Sequence, residues 1–124
     1  MKPLLVATAA IEIGAGLALL CIPSQAAWLV FGTPLDTPTA MTAARIGGLG
    51  LLTLGVACWL ARDDAASPAA RGLTKAMVIY NAGAVGVFAY AGLGLGLHGL
   101  LLWPAAVLHT AMTVWCLARL VGRH

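Results

Sequence analysis

Hydrophobic residues fill four long segments of the chain, and short polar turns separate these segments. A helix that crosses the hydrocarbon core of a bilayer, about 30 Å thick, needs roughly 20 mostly apolar residues. The segments at residues 3–22, 38–61, 68–94 and 100–121 reach that length. The pattern therefore predicts an all-α fold, an integral membrane bundle of four transmembrane helices.

Local signals mark the start of two of these helices. Thr37-Pro38 and Ser67-Pro68 each place an N-cap residue before a proline at the first helical position. The stretch at residues 24–31 is apolar enough to form a short amphipathic helix at the membrane interface. We therefore expect four long helices and one short one.

The composition favours lipid as the solvent. Hydrophobic residues make up 61% of the chain and charged residues 9%, whereas a soluble domain is typically about 25% charged. The 124 residues are enough for one domain, 1–124. The first apolar run, about 20 residues, is longer than the core of a signal peptide, about 7–15 residues, so we expect it to be retained as a helix.

Basic residues are distributed unevenly between the two ends of the predicted bundle. The N-terminus, the second loop and the C-terminus lie at one end and hold these residues: Lys2, Arg62, Arg71, Lys75, Arg119 and Arg123. Loops rich in Lys and Arg stay in the cytoplasm, so we predict an inner (plasma) membrane protein with both termini cytoplasmic. The basic residues are scattered between apolar spans, which argues against nucleic acid as a partner.

Glycines are frequent inside the predicted helices. In a membrane, small residues allow helix backbones to approach each other closely. We predict that Gly47, Gly50 or Gly83 lies at a helix–helix contact.

A few polar residues fall inside the apolar segments, where they are costly unless they have a partner or a function. At about 1.5 Å per residue, Glu12, Asn81 and His109 all lie about 13 to 15 Å above the cytoplasmic end of their helices. Arg45 lies higher, and its side chain can extend toward Glu12 or outward to the head groups. A buried Glu12 is then either protonated or compensated by Arg45 or a charged His109. Tyr80 is a further candidate member of this site.

This polar layer has several interpretations. Its members can be structural ties that fix the helices in register, or they can form a ligand-binding or protonatable site. A haem or metal site has less support, because His98 and His124 lie near opposite faces of the membrane. The sequence contains no P-loop, no HExxH and no Ser-His-Asp set at matched depth, which favours a role other than catalysis. The sequence does not identify a cofactor.

The chain resembles the DoxX-like superfamily of small four-helix bacterial membrane proteins. The resemblance covers the whole chain as architecture, and residues 44–55 carry it: Arg45 stands early in the second segment, before a glycine-rich helix. It implies an inner-membrane protein associated with redox or quinone chemistry.

The chain is also similar to the small multidrug resistance transporters in its length and number of spans. Glu12, within residues 10–14, matches the membrane-embedded glutamate in the first helix of those proteins. Arg45 and His109 are foreign to that pattern, and the third segment has no counterpart of the family's tryptophan. This resemblance therefore ranks second.

Two functions follow from these observations. The first is a small binding or accessory subunit that holds a lipophilic molecule, such as a quinone, or a membrane-protein partner at the polar layer. The alternative is a proton-coupled transporter of small molecules that uses Glu12. The expected partners are the lipid bilayer, a lipophilic ligand, and a second copy of the chain or another membrane protein.

Overall fold

The computed structural model of the protein describes residues 1–122. The predictions that involve Arg123 and His124 concern positions outside the described residues. The described chain is helical, with these α-helices: α1 (Lys2–Cys21), α2 (Pro23–Phe31), α3 (Pro38–Ala61), α4 (Pro68–Ala89) and α5 (Leu102–Val121). A 3₁₀ turn, Arg62–Asp64, follows α3, and a π-helical turn, Tyr90–Gly94, extends α4.

The four predicted segments correspond to four helices in residues 1–122 that are long and apolar enough to cross a membrane: α1, α5, α3 with its 3₁₀ turn, and α4 with its π turn. The hydroxyl of Thr37 accepts a hydrogen bond from the Ala40 N–H at 3.1 Å, and the hydroxyl of Ser67 accepts one from the Ala70 N–H at 3.1 Å. These are the N-caps expected ahead of α3 and α4. The short helix α2 also forms where the sequence predicts it.

The long helices are arranged as two close pairs. Helix α1 packs along α3, and α4 packs along α5. Between the pairs lies a core that includes Leu4, Leu5, Met77, Met112 and Cys58, all at most 5% exposed. The two pairs therefore meet through larger side chains, whereas α1 and α3 approach more closely.

Glycines make the close approach of α1 and α3 possible. A Cβ atom on Gly16 would lie 2.5 Å from the Leu52 nitrogen, and one on Gly48 would lie 2.7 Å from the Gly16 oxygen. Gly55 faces Ile13 in the same way, since a Cβ atom on Gly55 would lie 2.7 Å from the Ile13 Cγ1 atom. Since these neighbours include backbone atoms, a side chain at Gly16 or Gly48 would push the two helices apart.

The prediction that Gly47, Gly50 or Gly83 lies at a helix contact is wrong for all three. A Cβ atom on any of the three would have no neighbour within 4 Å. Consecutive residues point about 100° apart around a helix of 3.6 residues per turn. Gly48 therefore faces α1 while the adjacent Gly47 faces outward.

The loops gather at opposite ends of the bundle. At one end, the Lys2 ammonium forms an ion pair with the Asp63 carboxylate at 2.6 Å, which joins the N-terminus to the turn between α3 and α4. At the other end, the Leu101 N–H donates to the Leu29 carbonyl at 2.9 Å, which joins the segment before α5 to α2. Both the start of α1 and the end of α5 therefore lie at the first end.

Candidate functional site

The three residues predicted to share a layer come from three helices and are all buried. Glu12 on α1 is 2% exposed, Asn81 on α4 is 1% exposed, and His109 on α5 is 8% exposed. Tyr80, also on α4, is partly buried. These four residues are called the candidate site below.

Asn81 and His109 form a direct hydrogen bond between α4 and α5. The Asn81 Oδ1 atom lies 2.7 Å from the His109 Nδ1 atom. The Asn81 Nδ2 atom donates to the Met77 carbonyl at 2.8 Å. A carbonyl oxygen only accepts hydrogen bonds, so the atom that faces the Met77 carbonyl must be the Asn81 nitrogen. The positions of the Asn81 amide oxygen and nitrogen therefore cannot be exchanged.

This orientation assigns the proton on the His109 ring. Because the Asn81 oxygen can only accept, the His109 Nδ1 atom must carry the hydrogen and donate. In the neutral ring, Nε2 then has a lone pair with which it can accept a hydrogen bond. Nε2 makes no hydrogen bond with any residue in 1–122, so it is the atom of this ring that can bind a further group.

Glu12 and Tyr80 form a second contact, between α1 and α4. The Tyr80 hydroxyl lies within hydrogen-bonding reach of the Glu12 carboxyl. Among residues 1–122, Glu12 takes part in no ion pair. The sequence suggested Arg45 or a charged His109 as the cation that compensates Glu12. Neither forms an ion pair with the Glu12 carboxyl in the described structure.

Aromatic rings link these two contacts. The Tyr80 ring meets the His109 ring edge-on, with centroids 5.7 Å apart and planes at 81°. The Phe88 ring also contacts His109, with its centroid 5.5 Å from that of the imidazole and the two planes at 33°. Phe31 of α2 contacts Phe88 in turn, at 6.2 Å. His109 thus contacts two aromatic rings as well as the Asn81 amide.

Sequence reasoning did not single out Phe88. It stands seven residues after Asn81 on the same helix, a spacing that returns a side chain to nearly the same face. That spacing was the available signal, but a phenylalanine in an apolar segment is not conspicuous.

Arg45 lies apart from the candidate site. It is exposed, and its Nε atom donates to the Leu20 carbonyl at 3.3 Å. Leu20 is in the last turn of α1, where carbonyl groups lack partners within the helix. Arg45 therefore satisfies the end of α1, and a cation there also interacts favourably with the helix dipole.

The remaining histidine of the described chain, His98, is not part of the candidate site. It is in the exposed turn before α5, and its Nδ1 atom lies 3.1 Å from the Gly96 carbonyl. Within residues 1–122 no group of three or more His, Cys, Asp or Glu side chains is placed to hold a metal ion.

Comparisons with protein-family models, with curated proteins and with solved structures found no match to this chain.

Proposed function

We propose that the protein is an integral inner-membrane protein with both termini in the cytoplasm. The support is the presence of four helices long and apolar enough to span a bilayer, together with the distribution of charge. Lys2, Arg62, Arg71, Lys75 and Arg119 belong to the end of the bundle that holds the start of α1 and the end of α5. Among the basic residues in 1–122, the other end has only Arg45, which lies within α3 rather than in a loop. Under the positive-inside rule, the first end faces the cytoplasm.

Within the membrane, we propose that the protein is a binding or accessory subunit for a lipophilic molecule that carries a hydroxyl group, such as a quinol. The observation that carries this proposal is the assigned tautomer of His109. Its Nε2 atom is free to accept a hydrogen bond, and a phenolic hydroxyl is a donor that an apolar ligand can bring into a membrane. The rings of Tyr80 and Phe88 beside His109 suit the aromatic ring of such a ligand.

The Glu12–Tyr80 contact supports the same proposal. It places the Glu12 carboxyl of α1 beside the hydroxyl of Tyr80, whose ring contacts His109. A ligand with two hydroxyl groups would find acceptors at His109 Nε2 and at the Glu12 carboxyl. The quinone association expected from the DoxX-like resemblance remains a proposal of the same kind.

The test compares two ligands that differ only in hydroxyl groups: decyl-ubiquinol and its dimethyl ether. Thermal unfolding of the purified protein in detergent is measured with each ligand. Losing a hydrogen bond to a buried acceptor costs about 1–3 kcal/mol, so we expect the quinol to raise the unfolding temperature clearly more than the ether. Equal shifts with both ligands, or no shift with either, would refute the proposal.

Two variants locate the effect. His109→Phe keeps an aromatic ring but removes Nε2, so the difference between the two ligands should vanish. Thr110→Val is the matched control, since the Thr110 hydroxyl donates only to the Ala106 carbonyl of its own helix, at 2.8 Å. This control variant should keep the difference.

One observation favours the alternative, a proton-coupled transporter. Glu12 is a buried carboxyl without an ion pair in the described structure, and such a group can exchange a proton when a substrate arrives. In proteoliposomes with an imposed pH gradient, a transporter would move the lipophilic cation ethidium, and Glu12→Gln would stop that movement. Ethidium movement that depends on Glu12 would decide for the transporter and against the binding subunit.

A further inference from the structure

A second feature lies along the contact between α1 and α3. An open crevice of about 340 Å³ is bordered by Val6, Ala9, Ala10 and Ile13 of α1 and by Trp59 of α3. Its volume falls in the range of small-molecule sites, roughly 300–1,000 Å³. Every side chain that borders it is apolar or aromatic, so it suits a hydrocarbon chain.

The packing of α1 against α3 explains why the crevice is there. Gly55 holds the two helices in close contact at Ile13. One turn further toward the basic end, the small side chains of Ala9 and Ala10 face the large ring of Trp59. Small residues opposite one large ring leave a gap along the helix pair.

A cation lies against Trp59, which borders this crevice. The Arg62 guanidinium carbon is 3.9 Å from the centre of the Trp59 ring. One terminal nitrogen of Arg62 donates to the Trp59 carbonyl at 2.5 Å, and the other lies 3.2 Å from the Asp63 carboxylate. A guanidinium has five N–H donors, so Arg62 keeps donors for another anion. Trp59 thus borders the apolar crevice and supports the cation at the same time.

The surrounding charge favours an anion. The Asp63 carboxylate pairs with both Lys2 and Arg62. The positive charge of these two side chains is therefore larger than the negative charge of their shared partner. Asp64 is the other acid of this turn, and the same end also holds Arg71, Lys75 and Arg119.

We propose that this crevice binds an anionic phospholipid, with one acyl chain along α1 and the phosphate at Arg62. The inference rests on the proposed membrane insertion and orientation, because anionic lipids are abundant in the cytoplasmic leaflet and attract basic residues there. It is independent of the candidate site around His109. The planar guanidinium also suits a phosphate, because its N–H donors match phosphate oxygens in pairs.

The test uses Trp59 as its own reporter. A variant that keeps Trp59 and has phenylalanine at the other three tryptophans is reconstituted in vesicles that mix phosphatidylglycerol and phosphatidylcholine. Bromine atoms on one acyl chain quench tryptophan fluorescence on contact. In one set of vesicles phosphatidylglycerol is brominated, and in the other set phosphatidylcholine is brominated. One excess basic residue at a membrane surface enriches an anionic lipid about fivefold, so brominated phosphatidylglycerol should quench Trp59 more strongly at equal mole fraction.

Matched variants separate a site from general surface charge. Arg62→Gln should remove the preference for phosphatidylglycerol, and Ala10→Leu, which fills the crevice, should weaken quenching by both lipids. Arg71→Gln removes the same charge from α4, away from the crevice, and should leave the preference intact. An equal effect of Arg62→Gln and Arg71→Gln would overturn the proposal, as would equal quenching by the two brominated lipids.

A variant that keeps only Trp28, which is exposed on α2, distinguishes failure of the lipid-binding proposal from failure of membrane insertion. If Trp28 is quenched and Trp59 is not, the chain is in the membrane but the crevice does not hold lipid, and the proposal is wrong. If neither is quenched, membrane insertion itself is wrong, and the proposal falls with it.

Discussion

The Asn81 side chain holds His109 in a single tautomer across the contact between α4 and α5. Its Oδ1 atom lies 2.7 Å from the His109 Nδ1 atom, while its amide nitrogen donates to the Met77 carbonyl of the preceding turn. Both residues are buried, so each depends on the other for its hydrogen bond.

Breaking this pair should destabilise the bundle. Asn81→Leu leaves the His109 Nδ1–H group buried without an acceptor, which costs about 1–3 kcal/mol. Because the two residues share one interaction, the double variant Asn81→Leu with His109→Phe should lose less stability than the sum of the single variants. Thermal unfolding in detergent measures all three, and additive losses would show that the hydrogen bond does not couple them.

Two adjacent glycines provide a sharp test of the α1–α3 contact. Gly48→Ala introduces a Cβ atom 2.7 Å from the Gly16 oxygen, so the helices must separate, and overpacking of this kind costs about 1–3 kcal/mol. Gly47→Ala adds the same methyl group where nothing lies within 4 Å and should be neutral or slightly stabilising, since alanine favours helix over glycine. The unfolding temperatures of the two variants should differ, and equal losses would contradict the packing.

Arg45 and Glu12 should behave independently. Arg45→Met removes the donor to the Leu20 carbonyl, and loss of such a helix-end interaction costs about 0.3–1 kcal/mol. Because the two side chains form no ion pair in the described structure, Glu12→Gln should not rescue Arg45→Met. The free energies of unfolding of the two single variants and the double variant form a double-mutant cycle, and a clear coupling would mean that the two residues interact after all.

The proposed orientation can be checked from outside intact cells. In a variant without its native cysteines, Asp36→Cys in the turn before α3 should react with a membrane-impermeant thiol reagent, and Ala65→Cys in the turn before α4 should not. After the cells are opened, Ala65→Cys should react as well. The reverse pattern in intact cells would place the termini outside.

The sequence alone was sufficient to locate the helices. The residue bounds of α3 agree with the prediction, and α1, α4 and α5 differ from it at their ends only. The reason is that the signals are local: an apolar run of membrane length, a Thr or Ser cap followed by proline, and short turns between them. The shared depth of Asn81 and His109 also follows from counting residues along each helix.

The tertiary structure decided how each helix is rotated about its axis and which helix lies beside it. A difference of one residue turns a side chain by about 100°, so only the packed bundle shows that Gly48 rather than Gly47 contacts α1. The partner of Arg45 depends in the same way on the close approach of α3 to the end of α1. The position of Phe88 beside His109, and of Arg62 over Trp59, is likewise set by packing and not by local sequence. In a chain this apolar, many faces of a helix are nearly equivalent in hydrophobicity, so the sequence pattern has little periodicity from which to choose the inward face.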